Sequence, residues 1–150
     1  MHKYRQYMAI AIEEAKRAID GKDLPIAAVI VHNNQVIAKA RNQVESLNDP
    51  TAHAEILAIR QATLALNSKY LTDCTMYVTL EPCSMCAGAI VLARLPELVF
   101  GASEPKTGAC GSLYLIADDD RLNHQSKIVA GIMELECSNL MKEYFRNLRK

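Results

Sequence analysis

The amino-acid sequence predicts an α/β fold, a three-layer α/β/α sandwich with helices packed on both faces of one sheet. The first observation behind this prediction is that segments with helical periodicity alternate with short apolar strands. The second is the run from Ile26 to Val31, which is apolar at every position and therefore typical of a central strand covered on both sides. The 150 residues contain no internal repeat and no linker rich in Gly, Ser or Pro, so we expect a single domain over residues 1–150.

The elements follow in chain order. Apolar residues recur every three or four positions between Tyr4 and Ile19, and they predict an amphipathic helix that ends at Asp20-Gly21. Asn33-Asn34 predict a tight turn from the first strand into a second one. The other predicted elements are strands at 36–38, 76–80, 98–102 and 128–132, and helices at 52–66 (capped by Thr51), 83–93 (with Pro82 in its first turn) and 134–148. The apolar stripe of the last helix comprises Leu140, Met141, Tyr144, Phe145 and Leu148.

Composition and charge exclude several classes of protein. The 17 basic and 17 acidic residues cancel, so no global field attracts nucleic acid or a membrane surface. Charges interrupt the N-terminal segment, and no stretch approaches the roughly 20 apolar residues of a membrane span, so we expect neither a signal peptide nor a membrane helix. An odd number of cysteines, five, favours thiols or metal ligands over a disulfide framework. These features predict a cytoplasmic protein.

Two short motifs at predicted helix starts carry metal-ligand residues. His53-Ala54-Glu55 begins one helix, and Pro82-Cys83-Ser84-Met85-Cys86 begins the next. Cysteines three apart in a helical first turn project from one face, so both sulfurs can reach a single ion. The helix N-terminus also favours the thiolate form that a metal ligand requires. Two thiolates and a neutral imidazole suit zinc, so the sequence predicts a zinc site of His53, Cys83 and Cys86.

A zinc site with three protein ligands is typical of catalysis, because the fourth position stays open for water. The other cysteines, at positions 74, 110 and 137, lack metal-type spacing. Zinc lowers the pKa of its water to about 7, and Glu55 stands where it can take that proton. Taken separately, a C-x-x-C pair is equally typical of a redox pair, a structural knuckle or two buried thiols. Together the motifs form H-x-E…P-C-x-x-C, the signature of zinc nucleobase deaminases.

From these residues outward, the chain resembles the bacterial tRNA-specific adenosine deaminases over nearly its full length. The segments that carry the resemblance are Asp49-Pro50-Thr51-Ala52-His53-Ala54-Glu55, Tyr77-Val78-Thr79-Leu80-Glu81-Pro82-Cys83, Met85-Cys86-Ala87-Gly88-Ala89, Phe100-Gly101-Ala102, Lys106-Thr107-Gly108, Gly111-Ser112-Leu113 and Asn123-His124. The resemblance implies a five-stranded mixed sheet of the cytidine deaminase-like type, a homodimer, and one Zn²⁺ per subunit. It also implies conversion of wobble adenosine to inosine in a tRNA anticodon stem–loop. In that reaction zinc-activated hydroxide attacks C6, ammonia leaves, and Glu55 carries the protons.

The resemblance further implies a set of substrate-binding groups: the Asn42 side chain, the backbone N–H of Ala54 pointing into the pocket, Glu104, Lys106, Phe145 and Arg149. Several of these have an alternative interpretation from the residues alone. Asn42 also suits a turn, Phe145 suits the core, and Lys106 and His124 suit either RNA contacts or structural hydrogen bonds. The basic C-terminus, with Lys142, Arg146, Arg149 and Lys150, suits phosphate binding or a solvated helix end equally.

Two positions depart from the family pattern. Where the family has Gly after Pro-Val, this chain reads Pro25-Ile26-Ala27-Ala28, so Ala27 adds a methyl group to a strand beside the pocket. The family's Asp in a loop that contacts RNA near the target base is Glu104 here, which keeps the acceptor and adds a methylene. Neither change touches the zinc motif.

Two other functions remain open at this point. A deaminase of a free base or nucleoside, such as guanine or cytosine, would carry the same metal motif but needs a closed pocket. A non-catalytic zinc module that binds RNA or another partner would not need Glu55, and it would have a fourth ligand.

Overall fold

A computed structural model describes residues 2–149 of the chain. The helices are α1 (His2–Ala18), α2 (Val44–Leu47), α3 (Ala54–Leu66), α4 (Ser84–Ala93) and α5 (Glu134–Leu148). The strands are β1 (Ala27–His32), β2 (Gln35–Arg41), β3 (Cys74–Leu80), β4 (Glu97–Ala102) and β5 (Lys127–Ala130). Short 3-10 segments occupy Ile19–Gly21 and Ile116–Asp118. None of the helices in this part of the chain is long and apolar enough to cross a membrane.

Within residues 2–149 the strands form one five-stranded mixed sheet in the order β2-β1-β3-β4-β5. β1 pairs antiparallel with β2 and β3, whereas β4 pairs parallel with β3 and β5. β1 is buried at five of its six positions, as expected for a strand with helices on both sides. The predicted three-layer α/β/α fold is confirmed.

Each face of the sheet has its own apolar core. On one face, three alanines of α3 pack against the small side chains of Ala38 and Ala40 from β2 and against α4; they are Ala54, Ala58 and Ala62. On the other face, Met8 of α1 and Cys137 of α5 pack with Tyr77 of β3. Small side chains on both sides of an interface allow close approach, so α3 lies near the sheet with little side-chain material between them.

The observed elements match the predicted ones except at a few ends. Asn33 and Asn34 adopt φ angles of 50° and 61°, so the predicted tight turn is confirmed, although β2 runs further than residues 36–38. The prediction that Thr51 caps α3 is wrong, because the cap residue is His53. Thr51 instead donates hydrogen bonds from its N–H and hydroxyl to Asp49, each 2.8 Å long. The one-turn helix α2 has too few residues to show a periodicity and was not predicted.

The predicted apolar stripe of α5 is only partly buried. Leu140 and Met141 pack on the two cores, but Phe145 is 43% exposed and Leu148 is 64% exposed. The expectation that Phe145 lies in the core is therefore wrong. The later part of the stripe, with Tyr144, Phe145 and Leu148, lines a cavity instead.

Three chain segments that contribute to the functional site lie at one edge of the sheet. Residue 42 follows β2, residue 26 precedes β1, and residues 81–83 follow β3. Antiparallel pairing of β1 with β2 and β3 brings these three points to the same edge. Helices α3 and α4 also begin there, so their N-termini meet at the ends of the strands.

Gly101 and Gly88 provide a matched test of packing. A Cβ at Gly101 would collide with Cys137 Sγ, whereas one at Gly88 meets nothing within 4 Å. We expect Gly101→Ala to lower the free energy of unfolding by about 1–3 kcal/mol through overpacking. We expect Gly88→Ala, inside α4, to raise it by up to about 1 kcal/mol through helix propensity. Urea denaturation of both variants measures this, and equal stability of the two would contradict the close approach of α5 to β4.

Candidate metal centre and active-site cavity

The two helix starts bring three metal-ligand side chains together. His53 and Cys83 are the N-cap residues of α3 and α4, both with extended backbone, and Cys86 lies in the first turn of α4. His53 Nδ1 lies 3.6 Å from Cys83 Sγ and 3.5 Å from Cys86 Sγ. Among residues 2–149, this is the group of His, Cys, Asp and Glu side chains close enough to share an ion.

These distances fit a tetrahedral metal ion. A nitrogen and a sulfur bound at about 2.1 and 2.3 Å, with a tetrahedral angle between them, lie about 3.6 Å apart. The observed separations of 3.5 and 3.6 Å agree with this value. Two sulfurs and one imidazole also form a soft donor set of the kind that binds late transition metals. The cluster is therefore able to hold a metal ion.

Hydrogen bonds within the cluster favour the thiolate form of Cys83, which is the form that binds a metal. A hydrogen bond from Cys86 lowers the pKa of Cys83 to about 3, and a hydrogen bond from His53 lowers it further, although burial acts in the opposite direction. Cys83 is therefore a thiolate. The same sulfur–sulfur hydrogen bond, together with burial, raises the pKa of Cys86. The hydrogen bond to Cys83 raises the pKa of His53. A metal ion would replace the protons that these three groups now share.

Glu55 is a buried carboxyl group beside the cluster. It lies in the first turn of α3, is 3% exposed, and lines the same cavity as His53 and Cys83. Burial raises its pKa to about 7, and the N–H of its own residue and His53 oppose the shift. A carboxyl group with a pKa near neutrality can both accept and return a proton, which is the property required of a general acid–base group.

The cavity above the cluster has a volume of about 700 Å³. Its floor contains His53, Glu55 and Cys83. Its walls come from the segment after α1, the segment around α2, the loop after β4 and the last turns of α5; these contribute Lys22, Asp23, Leu24, Val44, Glu45, Glu104, Lys106, Thr107, Met141, Tyr144, Phe145 and Leu148. Apolar side chains, two lysines and three acidic residues therefore surround a cavity that leads down to the metal cluster.

Asn42 and Ala54 are brought together in a way that the sequence did not predict. Asn42 is buried, lines the cavity, and accepts a hydrogen bond of 2.9 Å from the backbone N–H of Ala54 through its Oδ1. This N–H is one of the unpaired donors in the first turn of α3, and a helix end buried without water needs a partner. The Ala54 N–H therefore donates to the Asn42 amide, which itself lines the cavity, and its role in substrate binding stays a prediction.

The other predicted substrate-binding residues divide into two groups. Glu104, Lys106 and Phe145 line the cavity. Arg149 is exposed and lies outside the cavity lining, and Lys150 falls outside the described residues. His124 Nε2 donates a 2.6 Å hydrogen bond to the carbonyl of Leu95, which favours its structural interpretation.

The departure at Ala27 does not reach the cavity. Ala27 is fully buried in β1 and donates its N–H to Thr79 Oγ1 at 3.2 Å. Its neighbour Ile26, just before the strand, is the residue that lines the cavity. The added methyl group therefore belongs to the packing of the sheet and not to the wall of the cavity.

Two buried carboxylates in the cavity walls were missed. Asp23 accepts the N–H groups of Glu45, at 2.6 Å, and Ser46, at 3.3 Å, and so holds the start of α2. Glu81 accepts hydrogen bonds from Glu104, Cys110 and Ser112, all in the loop after β4. Burial alone would raise the pKa of Glu81, but these donors outweigh it, so the pKa lies below its usual value. Both acidic residues follow apolar or helical segments, which is a pattern shared by many surface residues, so only the fold distinguishes them.

Comparisons with known proteins agree with this geometry. A model of the MafB19-like deaminase family matches residues 2–149. The chain is 47% identical over 144 residues to the tRNA-specific adenosine deaminase of Bacillus subtilis (strain 168), covering 96% of this chain and 89% of that protein. A structure from a study of A-to-I editing by tRNA:A34 deaminases at the wobble position of transfer RNA is similar, with a TM-score of 0.86 and 41% identity over 90% of this chain and 98% of that one. The guanine deaminase of Bacillus subtilis has a TM-score of 0.63 and 39% identity, over 65% of this chain and 63% of that one.

The cluster predicts which cysteine is needed for metal binding. Cys83→Ala removes one of the two sulfur donors, so we expect loss of stoichiometric metal after incubation with zinc and dialysis. Cys110→Ala is the matched control, because Cys110 is also a buried thiol but lies outside the cluster. Elemental analysis of both variants measures this, and one metal ion per chain in Cys83→Ala would show that the ion binds elsewhere.

Proposed function

This chain belongs to the family of tRNA-specific adenosine deaminases, and from that premise we propose that it converts the wobble adenosine of a tRNA anticodon to inosine. The observation that carries the proposal is the buried Glu55 beside the His53, Cys83 and Cys86 cluster, at the floor of an open cavity. The reaction takes one water and one adenosine and yields inosine and ammonia. The target base has to leave the stacked anticodon loop to reach this floor.

We propose that the ion is zinc, one per chain, held by His53, Cys83 and Cys86. When bound, zinc supplies a water of lowered pKa as the nucleophile for C6 of adenine. Glu55 takes one proton from the attacking water and delivers it to N1 of the ring. It then takes the second proton from the new hydroxyl group at C6 and delivers it to the amino group, whose bond to C6 breaks so that it leaves as ammonia. Burial keeps the pKa of Glu55 at about 7, so both transfers are accessible at neutral pH.

The walls of the cavity suit an RNA loop. Phe145 and Tyr144 offer aromatic faces on which unstacked bases can lie, which is how proteins hold single-stranded RNA. Lys22 and Lys106 line the same opening and can neutralise phosphates. Asn42, whose Oδ1 already accepts the N–H of Ala54, still has a side-chain N–H₂ group to offer the base. We place Arg149 in this interface too, at the exposed end of α5, and the whole reaction in the cytoplasm, where tRNA is used.

A deaminase of free guanine is the second candidate. The likeness to the guanine deaminase of Bacillus subtilis favours it, and that enzyme shares 39% identity with the aligned part of this chain. The match extends over 65% of this chain, whereas the match to the tRNA:A34 deaminase structure extends over 90%. A free base has to be enclosed to be held by its own small surface, whereas α5 lines this cavity with the aromatic side chains of Tyr144 and Phe145, which suit unstacked RNA bases.

We further propose that the protein is a homodimer. Apolar side chains on α3, α4 and the loop before the second 3-10 segment are largely exposed: Leu64 (82%), Leu92 (78%), Leu113 (53%), Tyr114 (58%) and Leu115 (49%). These elements pack side by side on the face of the sheet opposite α1. A grouped set of exposed large apolar side chains is typical of a protein interface.

The function predicts inosine in the product RNA. With an anticodon stem–loop that carries a wobble adenosine, we expect zinc-loaded protein to form inosine, detected by mass spectrometry after nuclease digestion. Glu55→Gln has the same shape but cannot carry the proton, so we expect kcat to fall by about 10²–10⁴-fold while zinc stays bound. No inosine from the zinc-loaded native protein, together with xanthine formed from guanine, would replace this proposal with the second candidate.

The dimer predicts that one charge on α4 separates the subunits. Leu92→Glu places a carboxylate in the proposed interface, and burying an unpaired charge is costly, so we expect the variant to sediment as a monomer at micromolar concentration. Leu135→Glu is the control, because Leu135 is also exposed but lies on α5. Sedimentation velocity measures both, and a native protein that sediments as a monomer would overturn the proposal.

A further inference from the structure

Glu81 is a buried carboxylate between the metal-binding turn and the cavity that takes no part in the proton transfers described above. We propose that it is a positioning residue, which holds residues 103–112 in the shape that presents Glu104 and Lys106 to the RNA. The identity of the RNA rests on the proposed function. The anchoring of the loop rests on contacts within this chain alone.

The contacts of Glu81 are shared equally between its two oxygens. Oε1 accepts hydrogen bonds from the Glu104 N–H, at 3.0 Å, and from the Ser112 hydroxyl. Oε2 accepts the N–H groups of Cys110, at 3.0 Å, and Ser112, at 2.9 Å. A carboxylate offers about four acceptor positions, so the loop uses all of them. Glu81 therefore has no position left for a substrate, which separates anchoring from catalysis.

The loop lies directly against Glu81 and the turn that follows it. A Cβ at Gly108 would collide with the carboxyl carbon of Glu81, so glycine is required at this position. The Ala109 N–H donates to the Pro82 carbonyl at 2.8 Å, next to the ligand Cys83. The loop is thus held to the metal-binding turn by its middle and to Glu81 at both ends.

Glu104 is the end of the loop that links Glu81 to the cavity rim. Its N–H donates to Glu81, and its own side chain accepts the Lys106 N–H at 3.0 Å. Glu104, Lys106 and Thr107 all line the cavity. Two backbone hydrogen bonds therefore hold this part of the cavity rim: the Glu104 N–H donates to Glu81, and the Glu104 carbonyl accepts the Gly108 N–H at 2.8 Å. The first of them is made to a buried carboxylate, and such a bond is stronger than one to a neutral acceptor.

Glu81→Gln should release the Glu104 end of the loop selectively. If the new amide N–H₂ group takes the place of Oε2, it faces two backbone donors, Cys110 and Ser112. If it takes the place of Oε1, it faces one backbone donor, Glu104, and the Ser112 hydroxyl, which can turn and accept. The second orientation loses fewer hydrogen bonds, so the amide should adopt it and leave the Glu104 N–H opposed by a donor.

The experiment combines kinetics on the stem–loop with amide hydrogen exchange of the zinc-loaded protein. For Glu81→Gln we expect KM to rise about tenfold, with kcat changed less than about twofold and zinc content unchanged. We expect exchange to accelerate at Glu104 and to stay slow at Cys110 and Ser112. Glu97→Gln is the matched control, because Glu97 accepts hydrogen bonds from Tyr4, at 2.6 Å, and Thr75, at 3.0 Å, at the opposite edge of the sheet.

Each outcome decides one question. Loss of zinc and of kcat in Glu81→Gln would overturn the proposal, since Glu81 would then support the metal-binding turn and not the loop. Unchanged exchange at Glu104 would overturn it as well. If no stem–loop is deaminated at all, the proposed function fails, and the exchange result still decides whether Glu81 anchors the loop. If Glu81→Gln does not fold, Ser112→Ala removes only the hydroxyl donor and should raise KM about two- to threefold without affecting zinc; an unchanged KM would contradict the proposal.

Discussion

The meeting of two helix N-termini at one edge of the sheet is the constraint on which the rest of the structure depends. His53 and Cys83 are cap residues, so their side chains are placed by the direction in which α3 and α4 leave the strands. A shift of about an ångström in either helix would remove the agreement between the N–S separations of 3.5 and 3.6 Å and a tetrahedral ion. The sheet order and both cores keep these two starting points side by side.

Much of this arrangement could be predicted from the sequence. The alternation of helices and apolar strands gave the layers, and the spacing of His53, Cys83 and Cys86 gave the cluster, because both patterns depend on local periodicity. The apolar stripe of α5 was also visible, but the sequence cannot show where the underlying sheet ends, and Phe145 was therefore placed in the core. The cap of α3 was misplaced for a related reason, since its donor at Ala54 is satisfied by Asn42, twelve positions earlier in the chain.

The residues that the sequence did not reveal are those whose partners lie in the first turn of the short helix α2 or in the loop after β4. Asp23 and Glu81 are both almost fully buried, and each accepts the backbone N–H groups of a segment in the cavity wall. A loop and the first turn of a helix both leave backbone N–H groups without partners of their own, and buried unpaired groups are costly. A buried carboxylate solves this by accepting several N–H groups at once. No sequence periodicity predicts such a residue, because the N–H groups need an acceptor only once their segment has folded against the carboxylate.

The alanine face of α3 has a consequence for how this site can change over evolutionary time. Ala54, Ala58 and Ala62 touch the sheet almost without intervening side chain, so the helix that carries His53 and Glu55 has no compressible layer beneath it. A larger residue at these positions would push α3 away from the sheet as a rigid body. His53 and Glu55 would then move together out of their places in the site. Substitution of these three alanines is thus restricted as strongly as substitution of the reactive residues themselves. New substrate preferences have to arise in the loops of the rim, where the backbone can move while the floor stays in place.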